Sequence, residues 1–509
     1  MILAWFLISQ SSFARAYGGD DHDWAVSIAQ TQEGGFVVAG SSWGFNSVWI
    51  DLLFLKLSVS GAIEWANIYR GDGPEWASGV FQAPDGGYAI AGYTRSFGAQ
   101  LTDLLVIKLT PTGDLEWAKM IGGLGHDYAG GAVQASDSGY ALTGGSYRGP
   151  EGWDLLILKL SKAGDLEWAR AMDGGGLDYG ESVIQTSDGG FMVAGWTLSW
   201  GAGYSDFLVA KFSPAGTPEW VRAYGGPEHD AAKAIIQAVD GGFLVAGETW
   251  GFGAGTSDIL LVKIGADGSF EWGKTYGGPG IDRAVSLVGT TDGGCVVSGQ
   301  TSSFGAGQDD LLVMKLGSGG ELEWAETFGG AYSDSTGRVI LLVDSDLAAV
   351  GSTDSWESGL SDIFVLRLPA DGSYPGCLVP CEPAVADAMP SENVQVFVAG
   401  ASGFTSSEIS PLVSQCSPVA KDICPPSVEE SGERGPWPGI ICSPVPGGAL
   451  FVSPLATSIR IYGADGRLVY SGELKKGKNK IVLDQGIYLW RAGILTPACP
   501  SYTGKVVIH

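Results

Sequence analysis

Residues 219–247, EWVRAYGGPEHDAAKAIIQAVDGGFLVAG, and residues 271–299, EWGKTYGGPGIDRAVSLVGTTDGGCVVSG, are two copies of one unit. Outward from this pair the unit recurs along most of the chain. A marker Trp stands at Trp65, Trp117, Trp168, Trp220, Trp272 and Trp324. A marker Asp stands at Asp51, Asp103, Asp154, Asp206, Asp258, Asp310 and Asp362, and both series step by 52 residues with a single step of 51. Self-similarity at a fixed period of this length signals a repeat architecture, in which length grows without deepening a single core.

Each unit reads as four short strands. The first copy runs Ala25-Val-Ser-Ile-Ala-Gln30, Gly35-Phe-Val-Val-Ala39, Asp51-Leu-Leu-Phe-Leu-Lys-Leu57 and Glu64-Trp-Ala-Asn-Ile-Tyr69. The first two strands are joined by a tight Gly-rich turn, of the Asp-Gly-Gly type in most copies, which is a strong local hairpin signal. Four antiparallel strands per unit match a propeller blade. The expected fold is therefore all-β: a seven-bladed β-propeller over residues 12–376, followed by a small C-terminal domain.

The two ends of the repeat array complement each other. Ser12-Phe-Ala-Arg-Ala-Tyr-Gly-Gly19 matches Glu219-Trp-Val-Arg-Ala-Tyr-Gly-Gly226, so Phe13 takes the Trp position of an orphan fourth strand. Blade seven reaches Asp371-Gly-Ser-Tyr-Pro-Gly-Cys377 and lacks that strand. Pairing the N-terminal strand with the last three closes the ring and removes two exposed sheet edges.

The pattern Tyr-Gly-Gly…Asp…Gln-Thr-x-Asp-Gly-Gly-Phe-x-Val-Ala-Gly…Ser-Phe-Gly-Ala-Gly-x-x-Asp resembles secreted seven-bladed β-propeller repeat proteins of bacteria and archaea, the SBBP type. The resemblance covers residues 12–376 and implies fold rather than activity.

Composition agrees. Gly accounts for 80 of 509 residues, as many tight turns require. With 29 basic against 56 acidic residues the formal charge is −27. That excludes a nucleic-acid binder, which must neutralise phosphates, and an anionic membrane surface as partner. Residues 1–11, opening MILAWFLISQ, look like the remnant of a secretory signal. No other stretch is apolar for long enough to span a membrane.

Of seven Cys, Cys295 falls inside a repeat strand and reads as a buried free thiol. Cys377, Cys381, Cys416, Cys424, Cys442 and Cys499 all follow the repeats. In an exported chain they suggest disulfides whose pairing stays open. Residues 377–446 read as a Cys/Pro/Ser-rich linker braced in this way.

From 447 to 509 a second β pattern appears, read as an Ig-like sandwich: Ser458-Ile-Arg-Ile-Tyr462, Arg467-Leu-Val-Tyr470, Lys480-Ile-Val-Leu483, Gly486-Ile-Tyr-Leu-Trp-Arg491 and Gly504-Lys-Val-Val-Ile-His509. With Ser453-Pro454 ahead of it, this block resembles the C-terminal sorting domain of type IX secretion cargo. The resemblance implies the type IX secretion machinery as partner. It also implies a secreted or outer-surface-anchored protein of a Gram-negative-type bacterium, whose C-terminal domain is removable.

Strand parity sorts the loops. The turns joining first to second and third to fourth strands share one end of the ring and are short. The second-to-third and inter-blade loops share the other end and vary more, as binding loops do. On that longer-loop face lies an acidic ring, Asp23, Glu75, Asp127, Asp178, Asp230, Asp282 and Asp334. Its carboxylates either cap turns or gather cations. An aromatic ring, Phe45, Phe97, Tyr147, Trp200, Phe252, Phe304 and Trp356, either packs between blades or offers a stacking platform. The irregular Trp residues Trp43, Trp49, Trp76, Trp153, Trp196 and Trp250 depart from the repeat. Together with Trp200 and Trp356 they are the candidate ligand contacts, except Trp49, which stands at the rim.

Catalytic signatures are absent: no zincin His-Glu-x-x-His, no Gly-x-Ser-x-Gly and no P-loop occurs. His22, His126 and His229 fall in blades one, three and five, apart from one another, and His509 is terminal. No cofactor is expected. The reading is a monomeric binding module for a glycan or protein. The alternatives are a polysaccharide hydrolase using acids at the channel mouth and a structural surface-layer component.

Overall fold

The computed structural model describes residues 12–18, 22–43, 49–96, 101–122, 125–147, 152–201, 203–253, 255–305, 307–355 and 360–372, and the backbone of short strands between 378 and 508. The expected signal remnant, 1–11, lies outside the described residues.

Seven antiparallel sheets follow one another along the chain. Blade one consists of Asp23–Gln30, Phe36–Ser42, Asp51–Leu57 and Ile63–Arg70, from the channel outward. Innermost strands of neighbouring blades touch all the way round, with the first against the seventh. Blade seven is completed by Phe13–Tyr17, which pairs with Asp362–Leu368 in the register Phe13↔Arg367 to Tyr17↔Ile363. The protein is a closed seven-bladed propeller.

The core is divided among the blade interfaces, because each sheet is apolar on both faces. Third strands such as Asp103–Leu109 are buried along their whole length. Two repeated contacts lock one blade to the next, and a third ties each blade's own strands together. Each marker Trp lies against the Gly of the next blade's last turn: a Cβ on Gly113 would come 3.0 Å from the Trp65 ring. The positive φ of that Gly, 84° at Gly113, independently demands it. At the seam Phe13 fills the same place against Gly61. The Tyr four residues past the marker position donates its hydroxyl to the same turn, Tyr17 to Gly61 O at 2.6 Å and Tyr69 to Gly113 O at 2.8 Å. At the short-turn end of the same blade a buried Lys of the third strand pairs with acids of the first turn and the fourth strand, as Lys108 does with Asp85 at 3.1 Å and Glu116 at 3.2 Å. In blade seven Arg367 takes that role with Asp344 and Asp346.

Within 377–446, the stretch that composition predicts to be a linker, six short strands lie against the ring. These strands, 378–380, 384–387, 397–398, 405–407, 412–416 and 419–422, pair with the outermost strands of blades six, five, four, three, two and one in turn. Composition cannot foresee this, since the pairing is with edges of strands far earlier in the chain. The expected disulfide bracing lies outside the described residues. Further on, residues 441–508 supply a three-stranded and a four-stranded sheet. Among the described residues no helix is long and apolar enough to cross a membrane.

Candidate ligand-binding face

The acidic ring is buried at the start of each innermost strand, with Asp230 at 0% exposure. Its oxygens hold the loops of the longer-loop face. Asp282 accepts from Gly278 N at 2.8 Å and Ser303 Oγ at 2.6 Å, and from the Thr301 hydroxyl. Asp178 does the same with Gly174 N at 3.2 Å, Thr197 Oγ1 at 2.5 Å and Ser199 Oγ at 2.7 Å. Beside each acid sits the marker Asp of the preceding blade. A Cβ on Gly225 would lie 2.1 Å from Asp206 Oδ1 and 2.7 Å from Asp230 Oδ2. The two carboxylates therefore face each other across a position that only hydrogen can fill. Gly277 separates Asp258 and Asp282 in the same way, and Gly329 separates Asp310 and Asp334. Burial pushes Asp230 up to about 6 and Glu75 up to about 7, the neighbouring Asp51 adding to the second. These pairs are joints between blades and do not line an open surface. Among the described residues no group of three His, Cys, Asp or Glu side chains could hold a metal ion.

The aromatic ring divides. Trp200, Phe252 and Phe304 wedge into blade interfaces. Trp200 and Phe252 rest over Gly174 and Gly226, where any side chain would collide with the ring. Tyr147 instead stands exposed. Phe45, Phe97 and Trp356 lie outside the described residues.

The irregular Trp residues occupy an arc of the channel mouth. The second residue of each innermost strand is Trp24, Trp76, Tyr128 and Tyr179 in blades one to four, then Ala231, Arg283 and Ser335. Their rings gather neighbours. Trp24 meets Trp43 at 5.9 Å, Trp76 stacks on Tyr93 at 5.0 Å, and Tyr128 meets Trp153 at 5.2 Å. Tyr179 stacks on Trp196 at 5.9 Å. Trp49 is exposed at the rim.

At blade five the arc breaks. Ala231 leaves the space that a ring fills in blades one to four, and a cleft of about 460 Å³ opens there, lined by Leu177, Trp196, Leu198, Ser205, His229, Ala231, Lys233, Glu248 and Trp250. That volume suits a small ligand. Its walls are largely apolar and its polar groups are held in place. Trp196 Nε1 donates to Glu181 Oε1 at 3.2 Å, and Lys233 Nζ pairs with the same oxygen at 2.6 Å. Glu248 pairs with Arg283 at 2.8 Å. His229 lies between Tyr204, stacked at 5.1 Å, and Trp250, edge-on at 5.5 Å. Lys233 reaches Glu181 because each innermost strand carries a β-bulge at this level, which turns the unpaired residue toward its neighbour.

No protein-family model matches the chain, and no curated protein matches it in sequence. Solved structures do match. One is the extracellular domain of a putative one-component system of B. thetaiotaomicron, at 10% identity and TM-score 0.41, covering 98% of this chain and 59% of that one. The chain thus spans about 59% of that protein's length. A second is the Penicillium chrysogenum alpha-L-arabinanase complexed with arabinobiose, at 11% identity and TM-score 0.39, covering 72% and 100%. A third is PorZ, a surface component of the type IX secretion system of Porphyromonas gingivalis, at 10% identity and TM-score 0.18, covering 97% and 100%.

Of the candidate contacts, the structure brings Trp196 and Trp250 into one cleft. Trp43, Trp76 and Trp153 stand in blades one, two and three, and Trp200 is a wedge between blades. Sequence reading weighed His229 only for catalytic chemistry and passed over Lys233, Glu248 and above all Ala231, whose signal is a small residue breaking an aromatic series. A second cleft of about 490 Å³ opens at the short-turn mouth among Val133, Ile184, Ile236 and Gln134, Gln185, Gln237. Gln185 there is already engaged, accepting from Ser136 N at 2.7 Å and donating to Gly189 O at 3.2 Å.

Proposed function

We propose that this protein is a secreted or cell-surface binding module that takes a glycan or protein ligand on its longer-loop face, with the cleft beside Ala231 as the binding site. The observation that carries this reading is the missing ring at Ala231. It opens a slot between two indoles, with charged side chains fixed around it. Indole faces stack on the C–H face of a sugar while fixed polar groups hydrogen-bond its hydroxyls, so the chemistry favours a sugar ring. The burial of the junction carboxylates favours binding over hydrolysis, because a glycosidase needs its acids against substrate. Replacing Ala231 with Tyr, the residue of blade four, fills the slot with a side chain the scaffold already accepts. Glycan-array and cell-surface binding should disappear in Ala231→Tyr and in Trp250→Ala, with thermal stability unchanged; retained binding in Ala231→Tyr overturns the reading.

The two sheets between 441 and 508 are read as an Ig-like sandwich that addresses the protein to a type IX machinery. The order of Ser453-Pro454, Ile461-Tyr462, Gly466-Arg467, Val469-Tyr470, Gly486-Ile-Tyr488 and Lys505-Val-Val-Ile508 supports this. A periplasmic reporter carrying residues 447–509 should reach the medium or surface of a type IX-competent bacterium; retention in the periplasm counts against it. Coverage of six outer sheet edges supports a monomer.

A further inference from the structure

The loop between the second and third strands of blade four ends beside the blade-five cleft and carries a ring outside the cleft wall. Tyr204 is 67% exposed. One face of its ring stacks on the imidazole of His229, with centroids 5.1 Å and planes 25° apart, and His229 is itself a wall of the cleft. The opposite face is open to solvent. Ring therefore follows ring from Trp250 through His229 to Tyr204, out of the cleft to its margin.

The frame under Tyr204 is fixed on both sides. A Cβ on Gly203 would lie 2.4 Å from Gly226 O and 2.6 Å from Glu228 O, so this backbone packs directly on the next inter-blade loop. Ser205 forms a parallel bridge with His229, and its carbonyl accepts Asp230 N at 2.7 Å. Its hydroxyl, 3.2 Å from His229 Nδ1, anchors the imidazole on which Tyr204 rests. A platform held in this way loses little freedom when a ligand covers it.

The fold does not ask for an aromatic ring there. The same frame recurs in blades five and six, where Gly255 packs on Gly278 O and Gly280 O, and Gly307 on Gly330 O and Tyr332 O. The residue that follows is Thr256 in one and Gln308 in the other. Blade four alone of these three spends an exposed tyrosine at the position, and it is the blade whose loop borders the cleft.

We infer that the ligand is a neutral oligosaccharide, with one ring in the slot beside Ala231 and another ring of the same chain stacked on the open face of Tyr204. The inference rests on the glycan reading of the cleft and deepens it from a sugar to a chain of sugars. An aromatic face suits the C–H face of a sugar ring. Once the first ring is seated, the linkage keeps its neighbour close to the second platform, so the two contacts reinforce each other. Neutrality follows from the charges around the slot, which pair off as Lys233 with Glu181 and Arg283 with Glu248. The formal charge of −27 further disfavours an acidic chain.

The test is isothermal titration with methyl glycosides of glucose, mannose, galactose, xylose and N-acetylglucosamine, and with their linear homo-oligosaccharides of two to four rings. Oligogalacturonate serves as the acidic chain. The preferred sugar should bind about tenfold more tightly as an oligosaccharide than as its methyl glycoside. Tyr204→Ala should erase that gain while leaving the methyl glycoside affinity and thermal stability unchanged, and Tyr204→Phe should keep it. Ala231→Tyr should remove both kinds of binding. An equal loss for glycoside and oligosaccharide in Tyr204→Ala would make Tyr204 a mere prop for His229 and overturn the inference. So would a length preference that survives Tyr204→Ala, or tighter binding of oligogalacturonate than of any neutral chain. Single-ring binding that is lost in Ala231→Tyr but shows no gain with length overturns the inference and leaves the reading of the cleft standing. No binding of any of these sugars overturns both.

Discussion

Asp230 is a buried acid that the folded protein would rather keep protonated, and its replacement by Asn measures the cost of ionising it. Burial is the largest influence on this carboxyl, followed by the opposing hydrogen bonds from Thr249 and Gly226. The folded-state value of about 6 stands above the 3.8 of an ordinary Asp, a rise of about two units. At about 1.4 kcal/mol per unit, ionisation costs the folded state on the order of 3 kcal/mol. The sign follows from which state binds the proton more tightly. Below pH about 4 both states hold it and there is no penalty. Between about 4 and 6 the unfolded chain ionises first and stability falls, and above about 6 the full cost is in place.

An Asn side chain keeps an oxygen for Gly226 N, which now lies 2.7 Å from Asp230 Oδ2, and does not titrate. Urea denaturation of wild type and Asp230→Asn at pH 4 and pH 7.5 should therefore show the variant gaining about 3 kcal/mol relative to wild type over that interval. Acids remote from Asp230 titrate alike in both proteins and cancel in the comparison. A difference between the two proteins that does not change with pH would refute the account of Asp230 as a destabilised joint.

Ring closure is tested at Phe13, which is 7% exposed and stands in for the marker Trp at the seam. Phe13→Ala should cost about 3–5 kcal/mol, with hydrogen exchange accelerated first in 362–368, the strand it pairs with; uniform loss of protection around the ring would argue against a local seam. Cys295 is fully buried, and burial pushes its thiol up to about 12. It should resist iodoacetamide in the native protein and react once urea unfolds the ring; modification at the native state's outset would contradict its burial.

Much of this fold was legible because each blade solves the same local problem with the same residues. Phe13 could be recognised as a displaced Trp from eight residues of sequence, and the structure seats it against Gly61 as the other blades seat Trp. The seven-blade count and the parity of loops follow from spacing and antiparallel alternation alone. Less legible were residues whose partners stand far off in the sequence, within a blade or in the next one. The third-strand Lys pairs with a turn 23 residues away, as Lys108 does with Asp85, and nothing local announces it. The acidic ring was visible, while its partner in the preceding blade and the hydrogen-only gap at Gly225 were not.

Periodicity by itself determined that the chain is a ring of seven blades closed by its own N-terminal strand, because a repeat of four short strands has few other ways to bury both faces. Only the tertiary structure decided where that ring departs from symmetry. Ala231 is an unremarked small residue in the sequence and becomes a cleft only when the rings of blades one to four show what is missing. His229 looks like a scattered residue until it is set between the exposed rings of Tyr204 and Trp250. Sequence records what every blade needs for folding; the contacts between blades, set by closure at long range, show what single blades are free to do.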